Sequence, residues 1–289
     1  MGEVIRSGIF QNALIGGTLT AVLCAAVGYF MVLRALAFAS EALTDIGFAG
    51  ITGSALLGWN PLLGMLGFGL LAVIAMGALR DRLKGRDVEV GMVLSFALGL
   101  GVLFLTLYAQ SSATHASSGI GILFGSLLSL SGSFILILGI VVVVVLAVLT
   151  VIFRPLLFAS IDPGTASARG VPTKILDFVY LLLLGATTAV SILSMGVLLA
   201  FALISAPAGA AHKLTRHPGW ALVVAILLGL GITWCGILLA FFGPWKRVPV
   251  GVYIASLSGL VYWGALLRDR LRGRPEREAA HHREREIGG

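Results

Sequence analysis

Stretches of about twenty apolar residues recur along the whole chain, and this repetition limits the possible folds more than any other feature of the sequence. A helix of about 20 apolar residues can cross the roughly 30 Å hydrocarbon core of a bilayer. The hydrophobic fraction is 58% and the charged fraction is only 11%, a composition that soluble globular proteins do not have. The sequence therefore predicts an all-α polytopic membrane protein.

The apolar stretches predict eight to nine transmembrane helices. The count is eight if the short stretch Gly196–Ala211 does not cross, and nine crossings would place the N-terminus outside. A further segment, Ile120–Leu130, is too short to cross and predicts a re-entrant or half-helix segment that protein or a cavity must cover. The predicted helices are Asn12–Leu33, Phe38–Trp59, Pro61–Leu79, Val90–Ala109, Ser133–Phe153, Ile175–Ser194, Gly196–Ala211, Trp220–Phe242 and Val250–Leu267.

Basic residues cluster in the loops 80–86, 154–174 and 213–216 and in the tail that begins at Arg268. The positive-inside rule predicts that all of these segments lie in the cytoplasm. The net charge of +7 then reflects orientation and contact with anionic lipid, and does not indicate a nucleic-acid partner. We expect a transmembrane domain over residues 1–267 and a disordered basic tail over 268–289. His281 and His282 in this tail could bind metal, but we expect them to be an incidental part of a polar segment.

Glu41 and Asp45 are acidic residues deep in an otherwise apolar region, four positions apart. On a helix this spacing places both carboxylates on one face, one turn apart, where they can reach the same cation. Uncompensated carboxylates in a membrane are costly and usually mark an ion path. The alternative is a position near the cytoplasmic interface, with Arg34 as a neighbour in a local ion pair.

The cytoplasmic loop over residues 154–174 contains signals for a short helix. Asp162 followed by Pro163 is typical of a helix start, since Asp caps free backbone N–H groups and Pro suits the first helical position. Gly170 and Pro172 then predict its end after about two turns. Such a helix can dock into a soluble partner, or it can be a structured connector without one.

Several motifs together resemble the membrane subunit of metal-ion ABC importers, the zinc, manganese and iron permease family. That family has an Arg-x-Met-Ser/Ala-Phe-x-Gly-Asp-Ala-Leu-Ser/Ala-His stretch, where this chain has Arg34-Ala-Leu-Ala-Phe-Ala-Ser-Glu-Ala-Leu-Thr-Asp45. The resemblance covers the chain from about Gly16 to Leu267. Other matching segments are Leu123–Ser126, Asp162–Gly170, Met195–Ala211 and Pro249-x-Gly251.

The resemblance implies a multi-pass permease of the cell (plasma or inner) membrane that works in a complex. Its implied partners are a second permease subunit, identical or a close paralogue, two cytoplasmic ATP-binding subunits and an extracytoplasmic metal-binding protein. The helix with Asp162, Ala166 and Gly170 would be the coupling helix that contacts the ATPase. No permanently bound cofactor is implied, and ATP would be used by the partner, since the chain has no GxxxxGK[ST] motif.

The chain departs from the family where the metal would bind. Glu41 and Asp45 stand where the family usually has Asp and His, and Ser40 replaces the preceding Gly. Without the imidazole only hard oxygen ligands remain, which favours manganese or another oxygen-loving cation over zinc or iron, and leaves open a substrate that is not a transition metal. The alternative function is a self-sufficient, ion-coupled secondary carrier that uses the same two carboxylates. An intramembrane enzyme has the least support, because the sequence lacks HExxH and GxSxG motifs.

Overall fold

A computed structural model describes residues 8–83, 87–111, 125, 127, 130–215, 217–243 and 249–287. All regular structure in these ranges is helical, apart from turns and one-residue helical fragments, which confirms the predicted all-α class. The helices are α1 (Gly8–Leu33), α2 (Ala37–Leu56), α3 (Pro61–Leu83), α4 (Asp87–Ser111), α5 (Gly132–Ile161), α6 (Pro163–Ala168), α7 (Thr173–Met195), α8 (Val197–Leu214), α9 (Pro218–Phe242) and α10 (Val250–Ile287).

Six of the described helices are long and apolar enough to cross a membrane, so the predicted count of eight to nine is not confirmed. They are α1, α5, α7, α8, α9 and the part of α10 up to Leu271. α8 is among them, although its sequence predicted a stretch of doubtful length. α3 and α4 contribute shorter apolar segments, Pro61–Ile74 and Leu94–Gln110. α2 has 20 residues, but Glu41 and Asp45 and its small polar residues lower its hydropathy.

α1 lies at the centre of the bundle and contacts α5, α7, α8 and α9. Its middle is fully buried, with Leu23, Cys24, Val27 and Phe30 inaccessible to solvent. α2 packs against α3, α4, α7 and α8, and makes few contacts with α1. α7 therefore stands between the central helix α1 and the helix that carries the acidic pair.

Part of the predicted half-helix segment packs inside this bundle. Gly125 has a φ of +79°, and a Cβ at this position would stand 2.0 Å from the carbonyl oxygen of Met195, so only glycine fits. Leu130 accepts a hydrogen bond of 3.2 Å from the Asn12 side chain of α1. Leu127 is also buried, whereas the other residues of Ile120–Leu130, and most of the Leu123–Ser126 motif, lie outside the described residues.

Two ion pairs identify helix ends that lie at the same end of the bundle. Arg34, just after α1, pairs with Asp177 near the start of α7. Lys213, at the end of α8, lies 3.5 Å from Asp269 of α10. Both pairs join segments for which the charge pattern predicts the cytoplasmic side. α10 continues as one helix to Ile287 through most of the segment 268–289, whose residues include many good helix formers.

Candidate functional site

Glu41 and Asp45 lie in the first half of α2, one helical turn apart, as their spacing predicts. Both residues are half-buried, and their carboxylates are close enough for a direct electrostatic interaction. Phe38, one turn earlier, has an exposed fraction of 59%. The face of α2 that carries the carboxylates is therefore only partly covered by the rest of the chain.

The other faces of α2 are held firmly by neighbouring helices. Gly47 lies against Ile192 of α7, where an added Cβ would stand 3.2 Å from the Ile192 side chain. Phe48 is fully buried against Gly101 of α4, and a Cβ at Gly101 would stand 2.4 Å from its ring. These close contacts fix the rotation of α2 about its axis and so fix the direction of the acidic face.

Neither carboxylate forms a salt bridge within the part of the chain that the structure describes. In the same ranges, no group of three or more His, Cys, Asp and Glu residues could hold a metal ion. The hydroxyl of Ser40, next to Glu41, is buried and has no hydrogen-bond partner among the described residues, whereas the hydroxyl of Thr44 donates to the Ser40 carbonyl at 2.9 Å. Within the described residues, the two carboxylates are therefore not paired with a basic side chain.

Arg34 pairs with Asp177. In the interfacial alternative, Arg34 would instead form an ion pair with the acidic residues of α2. Its guanidinium forms a salt bridge with Asp177 and lies 5.6 Å from the ring centroid of Tyr180. The side chains of Arg34 and Asp177 have exposed fractions of 7% and 14%. Sequence reasoning missed this pair, although an Asp placed just inside the predicted helix Ile175–Ser194 was a visible signal.

The predicted short cytoplasmic helix is present as α6. The Asp162 carboxylate caps it by accepting hydrogen bonds from the Thr165 amide at 2.9 Å and the Thr165 hydroxyl at 2.5 Å. These bonds stabilise the charged form and lower the pKa of Asp162 below its usual value. Gly170 follows with a φ of +81° and ends the helix.

α6 presents an open outer face. Ala166 is completely buried beneath it, whereas the other α6 residues and the flanking Asp162 and Gly170 are exposed. Arg169 lies 5.8 Å from the ring centroid of Phe158, a contact that ties the end of α6 to α5. The arrangement leaves a short, capped helix that is anchored on one side and free on the other in the described part of the chain.

A second polar cluster joins α1 to α7 in the bundle interior. The hydroxyls of Thr20 and Ser194 lie 3.1 Å apart, and the Cys24 sulfur lies 3.0 Å from the Ser191 hydroxyl. All four residues are fully buried. Hydroxyls that bond between helices stabilise packing in membrane proteins, so this cluster is a structural contact.

Comparison with known proteins gives a consistent result. The chain is 28% identical over 253 residues to the manganese import system permease protein ScaB of Streptococcus gordonii, covering 87% of this chain and 88% of that protein. It is 26% identical over 268 residues to the manganese transport system membrane protein MntD of Bacillus subtilis, covering 87% and 89%.

Among solved structures, PsaBC from Streptococcus pneumoniae in complex with Fab has the same fold, with a TM-score of 0.77 and 23% sequence identity over 90% of this chain and 91% of that one. The model of the ABC 3 transport family matches residues 7–268. The two relatives are described as a permease and a membrane protein, in agreement with the apolar helices described above. The chain is a multi-pass membrane protein that belongs to the ABC 3 transport family.

Proposed function

We propose that this chain is the transmembrane permease subunit of an ATP-driven importer of divalent metal ions, with manganese as the favoured cargo. The observation that carries the proposal is the pair Glu41 and Asp45 on a half-open face of α2, without a basic partner in the described ranges. Such a pair is costly inside a membrane unless a cation compensates it during the transport cycle. The names of two relatives, both described as manganese transport components, support the choice of cargo.

The chemistry of the pair suits transient binding of a hard cation. Carboxylate oxygens are ligands that manganese accepts readily, whereas the missing imidazole weakens the site for zinc and iron. Two ligands from one chain leave the remaining positions to water or to a second copy of the permease. An incomplete set of protein ligands also keeps the affinity modest, which a transport site needs in order to release its ion.

ATP hydrolysis in a partner subunit would act on this chain through α6. An exposed, capped helix on the cytoplasmic side can fit a groove of an ATP-binding subunit, with Asp162 fixing its start, Ala166 its seat on the bundle and Gly170 its end. This chain would hydrolyse no ATP itself. Its partners would be a second permease, two ATP-binding subunits and an extracytoplasmic metal-binding protein, as the family resemblance implies.

The decisive experiment is uptake of Mn²⁺, Zn²⁺ and Fe²⁺ into proteoliposomes. Vesicles contain either this chain alone or this chain with an ATPase and a binding protein of the same transporter. We expect ATP-dependent Mn²⁺ uptake only in the full assembly. We also expect the double variant Glu41→Gln/Asp45→Asn to insert and assemble normally but to transport nothing.

Asp269→Asn is the matched control, because it removes an exposed carboxylate from the same chain. Its uptake should equal that of the unmodified chain. Normal uptake by the Glu41/Asp45 double variant would reject the site. Gradient-driven uptake by the chain alone would show that the chain is a secondary carrier and not a subunit of an ATP-driven importer.

A further inference from the structure

The salt bridge between Arg34 and Asp177 connects the two parts of the chain to which the proposed function assigns coupling and metal binding. Asp177 lies on α7, which begins directly after α6 and its short turn. Arg34 lies in the three-residue turn Arg34–Leu36, between α1 and α2. Two segments separated by 143 positions in sequence thus meet at one contact.

The backbone between α6 and Asp177 is held by hydrogen bonds. The Val171 amide donates to the Ala166 carbonyl at 3.0 Å, and the Thr173 amide donates to the Val171 carbonyl at 2.8 Å. α7 starts at Thr173, so Asp177 stands in its second turn. A displacement of α6 therefore reaches Asp177 through hydrogen-bonded backbone and not through a flexible loop.

The path from Arg34 to the acidic pair is equally short. The Leu36 amide donates to the Met31 carbonyl at 2.9 Å, and the Ser40 amide donates to the Leu36 carbonyl at 3.0 Å, so the turn is bonded into both helices. Ala35 within it has a φ of +54°, an unusual conformation for a residue with a side chain. Glu41 follows four residues after the start of α2, about 6 Å along its axis.

The contact itself is built to resist separation. Arg34 and Asp177 are largely buried, so pulling them apart would cost both charges their mutual attraction in a poorly solvated place. Tyr180 supports the guanidinium with its ring and donates from its hydroxyl to the Val27 carbonyl of α1 at 2.8 Å. The cluster thus ties α1, the α1–α2 turn and α7 together at the cytoplasmic end.

We propose that the Arg34–Asp177 salt bridge transmits the movement of α6 to α2, so that Arg34 and Asp177 are positioning residues that couple ATP hydrolysis to the orientation of Glu41 and Asp45. This inference rests on the proposed function. It assigns to the two residues no contact with the metal. Its consequence is that the loss of the salt bridge separates ATP hydrolysis from transport without removing a metal ligand.

The test uses the complete assembly of this permease with its ATPase and binding protein in proteoliposomes, and measures Mn²⁺ transported per ATP hydrolysed. The variant Arg34→Gln/Asp177→Asn removes both charges of the salt bridge together and so avoids leaving one member of this pair without the other. We expect it to assemble and to hydrolyse ATP, while the ratio of transport to hydrolysis falls by about tenfold, within the usual range for coupling between sites. Binding of Mn²⁺ to the detergent-purified permease should be unchanged.

Lys213→Gln/Asp269→Asn is the matched control, since it neutralises an exposed ion pair between α8 and α10. It should keep the original ratio. Arg34→Lys is a second test that keeps the charge but loses the planar group, and it should give an intermediate ratio. If the double variant does not assemble, Arg34→Lys alone tests whether the salt bridge couples hydrolysis to transport.

Two results would overturn the inference. One is an unchanged ratio in Arg34→Gln/Asp177→Asn or in Arg34→Lys. The other is a parallel loss of assembly, hydrolysis and transport in both, which would mean a purely structural role. Failure of the proposed function is distinguishable, because the unmodified assembly would then show no ATP-dependent Mn²⁺ uptake at all.

Discussion

Gly28 of α1 lies against Ile204 of α8 so closely that a Cβ at Gly28 would stand 2.0 Å from the Ile204 carbonyl oxygen. The neighbouring contact is backbone, which cannot move aside as the end of a flexible side chain can. α1 and α8 therefore cross at their backbones, as small residues permit in membrane proteins.

We expect Gly28→Ala to separate α1 from α8 and to destabilise the protein by about 3 kcal/mol, the upper end of the usual cost of overpacking. The midpoint of thermal unfolding in detergent measures the change. Gly231→Ala on α9 is the control, because an added Cβ there meets nothing within 4 Å. Equal midpoints for the two variants would contradict the close crossing.

Replacement of Asp45 by His tests the assignment of cargo. The variant restores an imidazole beside a carboxylate, a combination that suits zinc better than two carboxylates do. We expect the ratio of Zn²⁺ to Mn²⁺ uptake by the full assembly to rise by about tenfold, or roughly 1.4 kcal/mol. Asp45→Glu keeps an oxygen ligand and should leave the preference for Mn²⁺ in place. If both variants had the same preference, Asp45 would not be a ligand of the transported metal.

The cap of α6 should depend on pH in one direction only. Hydrogen bonds from Thr165 lower the pKa of Asp162 in the folded protein, so the cap stabilises α6 at any pH above the ordinary Asp value of about 3.9. This stabilisation is lost as the pH falls through the lowered pKa. Hydrogen exchange at the Thr165 amide measures the effect, with protection expected at neutral pH and loss in acid.

Asp162→Ala should remove the protection of the Thr165 amide at neutral pH, since alanine cannot accept a hydrogen bond. Asp162→Asn should retain most of it and lose the acid dependence, because Asn is an effective cap without a titrating group. Full protection in the alanine variant would show that the packing of Ala166 alone holds α6 in place.

The hydroxyl contact between Thr20 and Ser194 should contribute a small, measurable coupling between α1 and α7. Thr20→Val and Ser194→Ala, alone and together, form a double-mutant cycle in which we expect about 0.6 kcal/mol, a typical value for such bonds in membrane proteins. The free energy of unfolding in mixed micelles is the measured quantity. Purely additive effects would mean that the 3.1 Å contact has no net stabilising effect.

Local signals in the sequence were sufficient for α6. Asp162, Pro163 and Gly170 each act on neighbouring backbone, so the helix, its cap and its end follow from residues a few positions apart. The spacing of Glu41 and Asp45 likewise predicted a shared helical face. Their role in binding a metal stays a prediction.

Long-range contacts were beyond the reach of the same reasoning. The partner of Arg34 is 143 positions away, and within its own neighbourhood Glu41 looked like the natural candidate. The tight fit of Gly125 against Met195 likewise depends on how the helices are arranged, which no local pattern encodes. In the sequence the number of membrane crossings depended on the short stretch Gly196–Ala211, whereas among the described helices it is α2 whose charged and small polar residues lower the hydropathy.

Gly196 is the only residue between α7 and α8, and it is buried with a φ of +90°. The relative tilt of these two helices is therefore governed largely by one pair of dihedral angles. Because Gly196 belongs to neither helix, a residue inserted there would add a second pair of dihedral angles to the joint and change the direction in which α8 leaves α7. Evolution can lengthen most loops of a membrane protein at little cost, but at this joint any change of length redirects a whole helix.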